Sequence, residues 1–239
     1  MEHYEGMAEN ELRVLSAGAV KSGVAQVAKE FERATGTRVT IEFNTAPELR
    51  KRIAAGEAAD VVVAPPAAME EFQKQGKIDA RSRGFVGRSR MGVVVHANAP
   101  APDVSTSAAF RKTLAAATAV VYNKASSGIY SAKLMEKLGL DKELRAKIVV
   151  VDTGSAIMKT VAERGPGAVG LAQISEVIVM VDKGCAVKLA APLPDEIQNV
   201  TSYEAAAIAG SKSPDAARKL AGSLASDAAK KIFSATGIS

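Results

Sequence analysis

The residues best able to hold an anion are small or hydroxylated, and they fall in four short stretches: Ser16-Ala17-Gly18-Ala19, Asn44-Thr45-Ala46-Pro47, Ala125-Ser126-Ser127-Gly128 and Thr153-Gly154-Ser155. Each follows an apolar, β-branched run. A strand, a turn of this kind and then a helix present unbonded main-chain N–H groups and a partial positive charge, and ligands of open α/β sheets gather at such strand ends. The chemistry they offer is binding of a small anion. Lys21 falls in the first helical turn after the first run, where the helix dipole disfavours a cation, so a ligand-facing role competes with that of a solvated lysine. Arg88 and Ser89, followed by Arg90, precede the run Met91–Val95; a guanidinium there can grip a carboxylate with two hydrogen bonds, and the competing reading is a salt bridge. Gln173 closes another run with an amide that both donates and accepts. Glu176, one turn later, reads as a carboxylate stabilised at a helix start or, alternatively, as a proton-transfer base. Thr45-Ala46-Pro47-Glu48 also has the form of a capping box, and Ser126-Ser127-Gly128 can serve as a plain helix cap.

Other chemistries are short of parts. One cysteine, Cys185, and two histidines, His3 and His96, give no intrachain disulfide and no Cys/His zinc cluster. No Gly-x-Gly-x-x-Gly and no phosphate-binding Gly-Lys-Ser/Thr loop is present, so no cofactor is expected. The net charge of +5 is scattered, and with no Trp, four Tyr and six Phe there is no basic, aromatic platform for nucleic acid. No apolar run approaches the roughly 18 to 20 residues of a membrane span. The first ten residues carry Glu2, Glu5 and Glu9 and no apolar core. They do not read as a secretory signal, which leaves a cytoplasmic protein or a periplasmic one whose signal has been removed. A monomer is expected.

The elements that must position these residues alternate. Nine short apolar runs read as strands: Arg13–Ser16, Val39–Phe43, Asp60–Val63, Gly92–Val95, Ala119–Tyr122, Ile148–Val151, Ala168–Leu171, Val187–Leu189 and Ala205–Ile208. Most are continuous rather than alternating, as strands buried on both faces are. Helical spacing joins Val20, Val24, Val27, Ala28 and Phe31, and again Ile174, Val177, Ile178 and Val181. Shorter pairs, Leu49 with Ile53, Met69 with Phe72, Leu134 with Leu138 and Leu220 with Leu224, mark further helices. Such alternation predicts a parallel, doubly wound α/β sheet with right-handed crossovers. The stretches Ala97–Pro102 and Pro192–Asp195 each follow a strand and bracket a middle segment. They point to two lobes, residues 1–88 with 201–239 and an inserted 89–200, with a ligand cleft between them.

Together Leu12–Gly18, Phe31–Gly36, Ile53–Val61, Ser127-Gly128-Ile129-Tyr130 and Glu163–Gly170 resemble the periplasmic molybdate-binding proteins of ABC importers, over nearly the whole chain from about residue 11. The resemblance implies the type II periplasmic-binding-protein fold: two doubly wound α/β lobes joined by two hinge strands, an oxyanion between them, and an ABC permease as partner. In that family two serines and a tyrosine give hydroxyls to the oxyanion; the matching positions here hold Ala19, Ala46 and Gln173. Loss of three donors, at about 1.5 to 3 kcal/mol each for bonds to a charged group, points away from molybdate. Arg88-Ser89, Ser127-Gly128-Ile129-Tyr130, Gln173-Ile174-Ser175-Glu176 and Pro192-Leu193-Pro194 are similar to a divergent branch that includes aconitate isomerase. It departs from that branch at Arg90 and Met91, where a glycine and an aliphatic residue are usual. The branch implies a small di- or tricarboxylate, held by Gly18, Ala19, Lys21, Thr45, Ala46, Arg88, Ser89, Ser126, Ser127, Gly128, Ser155 and Gln173. An isomerase would use Lys21 and Glu176 for proton transfer.

Overall fold

The computed structural model describes residues 11–239. His3 and the acidic leader lie outside the described residues. Two compact units divide the chain, one ending at Arg88 and resuming over Thr201–Ser239, the other Ser89–Val200.

The first unit contains β1 (Glu11–Ala17), α1 (Lys21–Thr35), β2 (Arg38–Asn44), α2 (Ala46–Ala54), β3 (Val61–Ala64) and α3 (Pro66–Lys74). The next strand, β4 (Gly84–His96), carries the chain out of this unit. The second unit then adds α4 (Ser107–Ala116), β5 (Ala119–Asn123), α5 (Ser126–Lys137), α6 (Asp141–Leu144), β6 (Ile148–Val151), α7 (Gly154–Arg164), β7 (Ala168–Gln173), α8 (Ile174–Asp182) and β8 (Val187–Pro192). The strand β9 (Val200–Ala207) carries the chain back, followed by α9 (Pro214–Leu224) and α10 (Asp227–Ala235).

All nine expected runs are strands, but the sheets are mixed rather than parallel. In the first unit β1 lies parallel to β2 and β3, and β9 is antiparallel to β3. In the second β5 lies parallel to β6 and β7, whereas β4 is antiparallel to both β7 and β8. The antiparallel partners are the two strands that carry the chain between units, and an apolar run reads the same in either direction. Run composition therefore could not reveal them.

Double winding is visible in the core of the second unit. Val93, Val95, Val120, Tyr122, Val169 and Leu171 pack in one apolar cluster, while Val94, Ala119, Val121, Ala168 and Ala172 pack in another. Successive side chains of a strand point to opposite faces, so both faces of this sheet are buried. That is why the runs are continuous: each such side chain gains about 1.5 to 3 kcal/mol from burial, and no position is left for a polar residue. In the first unit, the face of α1 carrying Val24, Val27 and Phe31 packs into a single cluster with β1, β3, α9 and α10. Gly36 ends that helix in the left-handed conformation at φ 71°, which lacks the Cβ penalty of other residues. The second periodic helix, α8, buries Ile174, Val177 and Met180 but leaves Val181 exposed, so its buried stripe is rotated from the expected one. Among the described residues no helix is long and apolar enough to cross a membrane.

Candidate functional site

In the first unit, registry sets Ala17 beside Asn44, so the carboxyl ends of β1 and β2 bring Gly18, Ala19, Lys21, Thr45 and Ala46 to one edge. Gly18 to Val20 form a 3-10 turn before α1, and a side chain on Gly18 would meet nothing within 4 Å, so the space over this strand end is open. Lys21 is exposed in the first position of α1, a helix with no acidic residue in its first turn. Thr45 caps α2, its Oγ1 accepting from the N–H of Glu48 at 3.4 Å, as the capping-box spacing predicts. Beside it Asn44 Nδ2 is shut off from solvent with no partner. The main chain of Arg88 pairs with Ser239, and its guanidinium sits 4.9 Å over the ring of Phe85.

In the second unit, the pairs Asn123–Val151 and Met91–Gln173 bring the carboxyl ends of β5, β6 and β7 to one edge with the start of this unit's part of β4. Ser89, Ser126, Ser127, Gly128, Ser155, Gln173 and Glu176 all belong to it. Two of its four serine hydroxyls are turned inward. Ser89, 1% exposed, donates to Gln173 Oε1, and Ser127, 4% exposed, donates to Asn123 Oδ1 at 3.2 Å. Ser155 Oγ lies 3.1 Å from Oγ1 of Thr153, the residue that caps α7. Ser126 alone of the four serines is exposed with an uncommitted hydroxyl. The Glu176 carboxylate lies against the first residue of α7: a Cβ on Gly154 would fall 1.9 Å from its Oε2. It holds the positive end of that helix, where Ser155 was expected to meet a ligand.

Two residues organise this edge, one named in the sequence only as part of a ligand-holding turn and one passed over. Thr153, from the Thr153-Gly154-Ser155 stretch, caps α7, its Oγ1 accepting from the N–H of Ala156 at 3.2 Å. Asn123, 3% exposed, accepts at Oδ1 from the N–H groups of Ala125 and Gly128, both at 3.1 Å, and so ties the end of β5 to the first turn of α5. Nothing in its own stretch of sequence marks it, because the bonds form only when the strand meets the helix. Lys124 next to it is spent on Asp152 at 2.8 Å; the pair holds the ammonium above and the carboxyl below their usual ranges, and both groups are exposed.

A groove of about 660 Å³ lies at the opposite end of β4 and β7, against Val95, Ala168 and Val169, and its walls are mainly Ala and Pro. Its polar lining is sparse, with Asp103 and Lys112 bringing opposite charges to one wall. Arg90, expected near the site, pairs with Asp195 at 2.7 Å, the salt bridge that was the competing reading for this stretch. His96 accepts at Nδ1 from the N–H of Asn98, within its own turn.

Known proteins share this architecture. A protein described as the substrate-binding domain of a molybdenum ABC transporter from Clostridium difficile superposes with a TM-score of 0.76 at 19% identity, covering 95% of this chain and 97% of its own. The periplasmic molybdate-binding protein of Azotobacter vinelandii gives 0.73 at 18% identity, covering 95% and 98%. These likenesses establish the type II periplasmic-binding-protein fold. An aconitate isomerase from Pseudomonas sp. is 31% identical over 215 residues, 87% of this chain and 80% of its own length. The model of the bacterial extracellular solute-binding proteins matches residues 12–239, and the chain belongs to that family.

Proposed function

We propose that this chain binds a small organic di- or tricarboxylate, as the solute-binding component of an ABC importer. The observation that carries the reading is the fate of the hydroxyls. At the second unit's edge Ser89, Ser127 and Ser155 are committed to Gln173, Asn123 and Thr153, and at the first unit's edge Ala19 and Ala46 have none to give. A tetrahedral oxyanion would find few side-chain donors. Helix N–H groups with a cation such as Lys21 suit the planar, acceptor-only carboxylate group. The 31% identity to an aconitate isomerase supports the same ligand class.

Thermal melts with citrate, tricarballylate, trans-aconitate, molybdate, tungstate and sulfate test this. A ligand at a hundred times its dissociation constant adds about 2.7 kcal/mol, so a polycarboxylate should raise the melting temperature by several degrees. Lys21→Met should weaken that binding at least tenfold. A shift with low micromolar molybdate and none with the organic acids overturns the reading.

A second reading rests on the same relative and on Glu176. An aconitate-like acid can be isomerised by taking a proton from one carbon of its allylic unit and returning one at the other end, which moves the double bond without redox change. Glu176 against Gly154 is the carboxylate for that role and Lys21 its cationic counterpart. Glu176→Gln separates the readings: in an isomerase it abolishes conversion of trans-aconitate to cis-aconitate while binding survives, and in a binder there is no conversion to lose.

A further inference from the structure

We propose that Asn123 Nδ2, with the first N–H groups of α5, is a donor site for one carboxylate of the ligand. The proposal rests on the polycarboxylate reading and names a residue that it lacks.

The orientation of the Asn123 amide is fixed by what surrounds it. Two main-chain N–H groups, of Ala125 and Gly128, and the Ser127 hydroxyl converge on one side-chain atom. A main-chain N–H can only donate, so that atom is the oxygen and the other is the NH₂ group. Oδ1 therefore lies over the first turn of α5, and amide geometry puts Nδ2 about 2.3 Å from it, at the same helix start. The residue is 97% withdrawn from solvent, being 3% exposed, yet Nδ2 has no hydrogen-bond partner among the described residues and is not one of the buried orphan atoms. It reaches the surface with both hydrogens unspent.

The rest of the turn is arranged in the same sense. Asn123 Oδ1 satisfies Ala125 and Gly128, which leaves the N–H groups of Ser126 and Ser127 without an intrahelical partner. The Ser126 hydroxyl is also uncommitted. Four donor groups, Nδ2, two main-chain N–H and one hydroxyl, thus share the positive end of a helix of 12 residues that has no acidic residue in its first turn. A packing role alone would need only the oxygen of Asn123. The amide nitrogen adds what an acceptor-only anion uses.

The test is calorimetric titration of wild type, Asn123→Asp and Ser126→Pro with citrate, tricarballylate and trans-aconitate. Asn123→Asp keeps the oxygen that holds the turn and puts a negative oxygen in place of Nδ2. A carboxylate at a helix start is favourable, so the melting temperature without ligand should hold or rise. Affinity should fall at least thirtyfold. Ser126→Pro removes one N–H and the hydroxyl at the first helical position, where proline is accommodated and where the extended Ala125, φ −80° and ψ −173°, suits a following proline. It should weaken binding at least tenfold, and it keeps the proposal testable should Asn123→Asp misfold. Wild-type affinity in either folded variant overturns the assignment. If wild type binds molybdate or phosphate but no organic acid, the polycarboxylate reading fails alone. The same variants are then titrated with that anion, a loss sustaining the donor site and no change overturning it. A wild type that binds none of these anions overturns both.

Discussion

The main-chain oxygen of Asn123 occupies the space where a side chain on Gly128 would begin: a Cβ there would lie 1.5 Å from that oxygen and 2.5 Å from its carbon. The obstacle is backbone, which cannot swing aside. Gly128→Ala should therefore cost at least about 3 kcal/mol in urea unfolding, well above an ordinary surface change. A loss under about 1 kcal/mol would show that the strand and helix meet less closely.

Gly23 in α1 sets two effects against each other. Alanine is better than glycine in a helix by about 1 kcal/mol. However, the added carbon would fall 2.2 Å from Cδ1 of Phe233 on α10, a ring 1% exposed with no room to turn. Overpacking costs about 1 to 3 kcal/mol and should win. Gly23→Ala is expected to lower stability in wild type and to raise it beside Phe233→Leu, a coupling that a double-mutant cycle reads directly.

Glu57 closes a network on the first unit. It accepts from Arg52 Nε at 2.6 Å and Arg13 Nη2 at 2.6 Å, and Arg52 with Arg13 holds its carboxyl down at about 2. A carboxylate with a depressed folded value stabilises the fold above its ordinary range, near 4.5, and that contribution is lost as pH falls from there to about 2. Urea midpoints against pH should show Glu57→Gln less stable than wild type at pH 7, with the two curves converging near pH 2. Parallel curves across that window would mean that the network adds nothing.

Gln198 holds the segment after β8 to the start of this unit's part of β4. Its Oε1 accepts from the N–H groups of Met91 at 2.8 Å and Asn199 at 3.0 Å, and its Nε2 donates to the carbonyls of Met91 and Leu193, both at 3.0 Å. Gln198→Glu keeps the shape but turns a second acceptor toward two carbonyls. At about 1 to 3 kcal/mol per buried group left unsatisfied, a loss of about 2 to 4 kcal/mol is expected in chemical denaturation. A neutral result would assign the anchoring to Arg90–Asp195 and to the Tyr130 hydroxyl on Ile197 instead.

Runs such as Val61–Val63 and Val93–Val95, with turns rich in Ser, Thr and Gly behind them, determined the strands and helix starts, because burial on two faces and capping are local demands on composition. They also determined that Gly18, Thr45, Ser127 and Gln173 stand at strand ends. Strand direction was decided only by the tertiary structure, since a run of valines carries no arrow and β4 and β9 turn out antiparallel to their neighbours. So was the spending of the hydroxyls. Ser89 and Gln173 are 84 residues apart, and their mutual bond exists only because β4 and β7 are paired; Asn123 becomes a capping acceptor only once α5 folds back over the end of β5. A sequence states which donors are present. Which of them remain for a ligand depends on partners brought together from distant parts of the chain.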